Sequence, residues 1–71
     1  MNARYAAVLD IFALVATYPL EARVLREATQ TTALAYVRGE TTASELRLLL
    51  SLACDLGYAS SELVEAHQQF L

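Results

Sequence analysis

Three helix-breaking residues divide this 71-residue chain: a single proline, Pro19, and two glycines, Gly39 and Gly57. Proline disfavours helix at the residue before it and fits the first turn of the next helix, and glycine commonly ends a helix. No segment between these positions sustains the alternation of apolar and polar residues that favours a strand. The pattern predicts a single all-α domain, residues 1–71, of four short helices arranged as two helical hairpins.

Polar residues at the expected starts support this division. Asn2 can cap the first helix and Thr42 the third, where Glu45 three residues later completes a capping box. Ser60 or Ser61 can cap the fourth. The predicted helices cover approximately residues 3–17, 20–38, 43–56 and 61–71.

The first two predicted helices differ in the distribution of their apolar residues. The first is apolar nearly all round, with Asp10 as the one charge of its central run, which predicts a helix buried centrally or between two layers. The second is amphipathic, and Arg23 can pair with Glu27 four residues on. Its predicted buried stripe comprises Leu20, Val24, Ala28, Thr32 and Ala35, with Leu25 and Tyr36 beside it.

The third predicted helix carries two apolar stripes separated by a narrow polar strip. One stripe can join the protein's own core, and the other needs a second surface because exposed leucines favour aggregation. The first stripe is Leu46, Leu49, Leu50 and Ala53. The second is Leu48, Leu52 and Leu56. The polar strip is Ser44, Arg47, Ser51 and Asp55.

The chain has more apolar residues than so small a domain can bury alone. Its hydrophobic fraction is 56%, against about 45–50% in typical domains, and a chain of this size buries only about 60% of its unfolded surface. One cysteine and one histidine allow neither an internal disulfide nor a zinc site. We therefore expect a partner chain, most simply in a homodimeric helical bundle. The predicted dimer or partner interface is Leu48, Leu52, Leu56, Tyr36 and Tyr58.

The net negative charge of the chain limits the kinds of molecule that it can bind. The net charge is −3, which disfavours nucleic acid and anionic lipid because both need clustered basic residues. We predict an acidic surface of Asp55, Glu62 and Glu65 that faces another protein. The apolar run 5–16 is shorter than the roughly 20 residues that cross a membrane, and no secretory signal is recognisable. A cytoplasmic protein with a reduced Cys54 is expected.

The sequence contains little that could support catalysis. Ser61 and His67 lie almost two turns apart on the fourth predicted helix, too far for a hydrogen bond, and no nucleophile elbow or phosphate-binding loop is present. We predict no enzyme activity, no catalytic residues, no cofactor, no metal site and no small-molecule substrate.

The stretch "LACDLGYASSELVEA" resembles a helix-turn-helix in its spacing. Its small residues are Ala53 and Ala66, with Gly57 at the turn, and the resemblance extends over about residues 49–70. It implies a DNA-reading second helix, yet that helix carries Glu62 and Glu65 and no basic residue. Its apolar positions are Leu52, Leu56, Tyr58 and Leu63. The "LGY" turn also resembles the loop of small ubiquitin-binding three-helix modules.

In length, composition and helical layout, the chain resembles small regulators encoded by phages and mobile elements, including helical anti-activators that block bacterial quorum-sensing transcription factors. This resemblance implies a non-catalytic protein that binds and inhibits or modulates another protein in a bacterial or phage-infected cell. Two alternatives remain: a small helix-turn-helix-like DNA-binding regulator, and a secretion-type chaperone or assembly subunit.

Overall fold

The structure, a computed structural model, describes residues 3–71 and contains four α-helices and no strand within that range. A 3₁₀ turn, Leu20–Ala22, precedes the second helix. The all-α prediction is confirmed. The helices are α1 (Ala3–Val15), α2 (Arg23–Val37), α3 (Ala43–Asp55) and α4 (Ser61–Gln68).

Each helix packs against the next in chain order, and α4 returns to contact α1. The two predicted hairpins, α1–α2 and α3–α4, therefore enclose one core, within dimensions of 31 × 22 × 18 Å. Burial of a threonine in this core is made possible by an internal hydrogen bond, because Thr29 Oγ1 donates to the Leu25 carbonyl at 2.8 Å. The largest fully buried side chains are Ile11, Val15, Thr29, Leu46 and Leu50.

Both glycines end helices as predicted, in Schellman motifs. Gly39 has φ +76° and Gly57 φ +84°, the left-handed values that glycine adopts without strain. After α2, the Glu40 N–H donates to the Ala35 carbonyl (2.8 Å) and the Gly39 N–H to that of Tyr36 (3.1 Å). After α3, the corresponding bonds are Tyr58 N–H to Ala53 O (2.8 Å) and Gly57 N–H to Cys54 O (3.0 Å).

The two predicted caps of the second hairpin have different outcomes. Ser60 caps α4 as predicted, since its Oγ accepts a hydrogen bond from the Leu63 N–H at 3.2 Å. Thr42 occupies the cap position of α3 but makes no side-chain capping bond. The predicted capping box is wrong because Glu45 accepts a hydrogen bond from the Thr41 hydroxyl instead, at 2.7 Å. The predicted cap Asn2 lies outside the described residues.

The predicted buried stripe of the second helix is wrong. Leu20 is 81% exposed and Val24 77% exposed. The chain leaves Pro19 in a 3₁₀ turn and becomes α-helical only at Arg23, which changes the phase of the helix relative to the predicted start. The face that enters the core is Ala22, Thr29, Ala33 and Tyr36. The other members of the predicted stripe, Ala28, Thr32 and Ala35, are exposed or half-buried.

The position predicted for the first helix is also corrected. Its inner face is in the core, but Tyr5 and Leu9 on the opposite face are about half exposed. Helix α1 packs against α2 and α4 on its inner side only. Its outer side is in contact with solvent because no further helix of the described residues covers it. The buried residues of α1 are Ala7, Val8, Ile11, Leu14 and Val15.

Arg4 joins the start of α1 to the end of α2, a contact that sequence reasoning missed. Its guanidinium donates to the Tyr36 carbonyl at 3.1 Å and lies 4.4 Å from the centre of the Tyr36 ring. A cation is favourable beside the last carbonyls of a helix, and over an aromatic face. The predicted pair Arg23–Glu27 is also present at 3.9 Å, but both side chains are exposed, so it contributes little to stability.

Candidate protein-interaction surface

Helix α3 and its C-cap residue Leu56 expose a row of leucines, which we call the leucine ridge: Leu48, Leu52 and Leu56, with exposures of 71%, 44% and 54%. The three residues are four positions apart and so lie along one line of the helix surface. On the other side of the same helix, Leu46, Leu50 and Ala53 are completely buried, and Leu49 is half-buried. The predicted division of α3 into a core stripe and an outer stripe is confirmed. The use of the outer stripe as an interface stays a prediction.

The polar strip of α3 lies between the leucine ridge and α4. Gln68 near the end of α4 donates from Nε2 to the Ser51 hydroxyl and to the Arg47 carbonyl, both at 3.1 Å. At the other end of this contact, Asp55 and Ser61 line one cleft. Helix α4 therefore runs antiparallel to α3 beside the strip, and leaves the leucine ridge uncovered.

Two of the three predicted acidic residues come together in the structure. Asp55 and Glu65 line the same small cleft between α3 and α4, about 150 Å³ in volume, beside the half-buried Cys54. Glu62 is exposed in the first turn of α4. We call Asp55, Glu62 and Glu65 the acidic edge. All three carboxylates are solvent-exposed, so they are available to a basic partner.

The two tyrosines predicted for the interface lie elsewhere. Tyr36 is only 6% exposed and belongs to the core, because the buried face of α2 differs from the predicted one. Tyr58 is half-buried, with its ring centre 6.1 Å from that of Tyr18. Neither ring adjoins the solvent as the three leucines do, and Tyr36 offers a partner almost no surface.

The hydroxyl group of Tyr18 lies in an unfavourable environment within the core. Its hydroxyl is buried and has no hydrogen-bond partner among the described residues. Burial raises the pKa of Tyr18 above its usual value near 10 because the phenolate would lose its hydration. An unsatisfied buried hydroxyl lowers stability.

Burial in the second hairpin follows the helix-turn-helix spacing only in part. Leu52, Leu56 and Leu63 occupy apolar positions of that spacing, and each is 44% exposed or more. Ala53, a small residue of the same spacing, is completely buried. The core cluster also contains Leu50 and Val64, which lie outside that spacing.

A second exposed apolar region lies between α1 and α4 and was not predicted. Two adjoining hollows of about 170 and 230 Å³ share Ala7, Asp10 and the exposed Phe70 as lining residues. His67 lines the first hollow, and its Nδ1 donates to the Leu63 carbonyl at 2.7 Å. The sequence signal for this region is the apolar outer side of the first helix.

Comparison of the chain with protein-family models, curated proteins and solved structures found no match. Within residues 3–71 no group of three or more His, Cys, Asp or Glu side chains could hold a metal ion. None of the helices in this range has the length and apolar character needed to cross a membrane.

Proposed function

We propose that this chain is a non-catalytic regulatory protein, a small acidic helical homodimer that binds another protein and inhibits or modulates it. The observation that carries the proposal is the leucine ridge of α3, which leaves three large apolar side chains in water on a regular helix. Contiguous exposed apolar surface is characteristic of protein-binding sites.

The acidic edge supports a target with a basic surface. Asp55 and Glu65 share one cleft, and Glu62 lies one turn from Glu65 on α4. The chain as a whole carries a net charge of −3. Complementary charge increases the rate of association and selects among partners. A basic DNA- or nucleotide-handling surface of a bacterial protein, such as a transcription factor, has the required chemistry, and the proposed setting is the cytoplasm of a bacterial or phage-infected cell.

The proposal is tested by affinity capture from a bacterial lysate with wild type, Glu62→Arg and a matched control, Glu21→Arg. Both substitutions reverse one exposed carboxylate, but Glu21 lies in the 3₁₀ turn before α2, on another part of the molecule. We expect Glu62→Arg to lose a protein that wild type and Glu21→Arg both retain. Equal capture by all three would contradict the role of the acidic edge.

A second pair of variants tests the leucine ridge in the same assay. Leu48→Glu places a charge on the ridge, and Val24→Glu places one at an equally exposed valine of α2. Loss of the captured protein with Leu48→Glu alone supports the proposal. Captured material that is nucleic acid, released by nuclease treatment, would favour a DNA-binding role instead.

A further inference from the structure

The charges beside the leucine ridge form a pattern that is complementary to itself. Arg47 and Asp55 lie at the two ends of the polar strip, with Ser51 midway between them. Eight residues of α-helix separate the two charges by about 12 Å along the axis. Arg47 is also the single arginine or lysine of the chain from residue 39 onwards. The strip is thus positive near the start of α3 and negative at its end.

Neither of these charges is neutralised within the described chain. The ion pairs among residues 3–71 are Arg23–Glu27 and Arg38–Glu40. The Arg47 and Asp55 side chains are both exposed, and the contact that involves Arg47 uses its backbone carbonyl. Both charges are therefore free to meet charges on another molecule.

A two-fold axis midway between the levels of Ser51 and Leu52 matches this pattern. If two copies of α3 meet antiparallel about such an axis, Arg47 of each copy lies within about 1.5 Å, one residue's rise, of the level of Asp55 of the other. The ridge fits the same axis equally well, since Leu48 then lies within about 1.5 Å of the level of Leu56 of the second copy, and Leu52 lies equally close to its own counterpart. Rows of side chains four residues apart interdigitate in the commonest class of helix packing.

We propose that a second copy of this chain docks on the leucine ridge with its α3 antiparallel, so that Arg47 of each copy pairs with Asp55 of the other across a Leu52–Leu52 contact. Glu65 strengthens the acidic end, because it lines the same cleft as Asp55. The inference rests on the homodimer of the proposed function and adds its geometry. Glu62 and the outer side of α4 remain open to the target protein.

Two other pairings fit the charges less well. Parallel packing of α3 about a two-fold axis would place the two polar strips on opposite edges of the contact, so Arg47 of one copy would not meet Asp55 of the other. Pairing through the outer side of α1, where Tyr5 and Leu9 are exposed, would bring the two Asp10 carboxylates into one apolar region.

Charge reversal with complementation tests the pairing in the purified chain. Arg47→Glu would face Asp55 of the second copy, and Asp55→Arg would face Arg47, so each variant alone should raise the dimer dissociation constant about 10-fold or more. An equimolar mixture should recover dimers, because a heterodimer of the two variants restores an opposite charge at each contact. Sedimentation velocity measures the association, and native mass spectrometry identifies the heterodimer by mass.

The matched control for this experiment is Glu21→Arg, which changes the net charge as much as Asp55→Arg does. It should leave the dimer dissociation constant unchanged. Variants that dimerise like wild type, a mixture without heterodimer, or a monomeric wild type would each overturn the proposal.

Disulfide trapping tests the axis independently. With Cys54→Ala as the background, Leu52→Cys should form an intermolecular disulfide readily, since residues at a two-fold contact lie within the roughly 4.4–6.8 Å Cα separation that a disulfide requires. Val24→Cys, on an exposed site of α2, should not. Equal cross-linking at both sites would overturn the proposal. Because both experiments use the chain without a target, their failure is distinct from failure of the capture experiment.

Discussion

The two faces of α3 are built from the same amino acid, yet they have opposite environments. Leu46 and Leu50 are completely buried, while Leu48 and Leu52, two positions further along, are 71% and 44% exposed. Residue type does not produce this difference. It arises because α3 packs its inner face into the core, while none of the elements described in residues 3–71 lies across its outer face. The inner leucines therefore stabilise the monomer, and the outer ones are available for association.

The largest expected effect is on the inner face. Leu50→Ala should lower the free energy of unfolding by about 2–5 kcal/mol, because it removes buried methyl groups and leaves a cavity. The matched variant Leu48→Ala should change it by less than about 0.5 kcal/mol at low protein concentration. Urea unfolding followed by circular dichroism measures both. Similar losses in the two variants would contradict the distinction between the faces.

Protein concentration sharpens this comparison. Association stabilises the folded chain by mass action, so the stability of a dimer rises with protein concentration. If the leucine ridge binds a second copy, the cost of Leu48→Ala should increase with concentration, and that of Leu50→Ala should remain large throughout. An unfolding midpoint of wild type that is independent of concentration would contradict self-association through the ridge.

The turn after α3 gives the next largest effect. Gly57→Ala should cost about 1–2 kcal/mol, since φ is +84° and an L-residue is strained there. A Cβ at this position would have no atom within 4 Å, so the cost is one of backbone conformation alone. Gly39→Ala shares this geometry and should cost a similar amount. A much larger loss for either variant would indicate packing that the structure does not contain.

The N-cap residues of α3 and α4 should differ by a smaller amount in their contribution to stability. Ser60→Ala removes a capping hydrogen bond from α4 and should cost about 1 kcal/mol. Thr42→Ala removes none from α3 and should cost less than about 0.5 kcal/mol. Thermal unfolding of the two variants measures the difference. Equal destabilisation would show that Thr42 caps α3 in solution, as the capping box predicts.

The smallest effect at neutral pH is expected inside the core. Tyr18→Phe should be neutral or slightly stabilising, because the hydroxyl that it removes is buried and unsatisfied. Above pH 10, the wild type should lose stability that the variant keeps. The unfolded tyrosine ionises near pH 10 whereas the folded one, with its raised pKa, stays protonated, so deprotonation favours unfolding. Unfolding midpoints of the two proteins between pH 8 and about 11 measure the difference, and parallel curves would contradict it.

The sequence was sufficient for features that depend on local chemistry. Gly39 and Gly57 predicted the ends of α2 and α3, and Ser60 was one of the two serines predicted to cap α4. The two stripes of α3 were recognisable because leucines recur there with helical spacing on both sides of a polar strip. Such features depend on residues close together in the chain.

The features that the sequence did not predict depend on contacts between distant segments or on the phase of a helix. The buried face of α2 contains Thr29, Ala33 and Tyr36, whereas the predicted stripe began with the exposed Leu20 and Val24. Tyr36, predicted beside that stripe and assigned to the interface, lies in the core. The packing of Arg4 against Tyr36 joins residues 32 positions apart, which no local pattern could indicate. The exposure of one side of α1 depends on how many helices surround it.

The contact between the Tyr18 and Tyr58 rings provides an intrinsic spectroscopic probe of the packing between the two hairpins. Tyr18 lies in the link between α1 and the 3₁₀ turn, and Tyr58 follows the glycine turn after α3, so their contact at 6.1 Å spans the two hairpins. The chain contains no tryptophan to mask the signal of the tyrosines. Near-ultraviolet circular dichroism should therefore distinguish a chain whose hairpins are docked from one that keeps its helices but has lost their mutual packing.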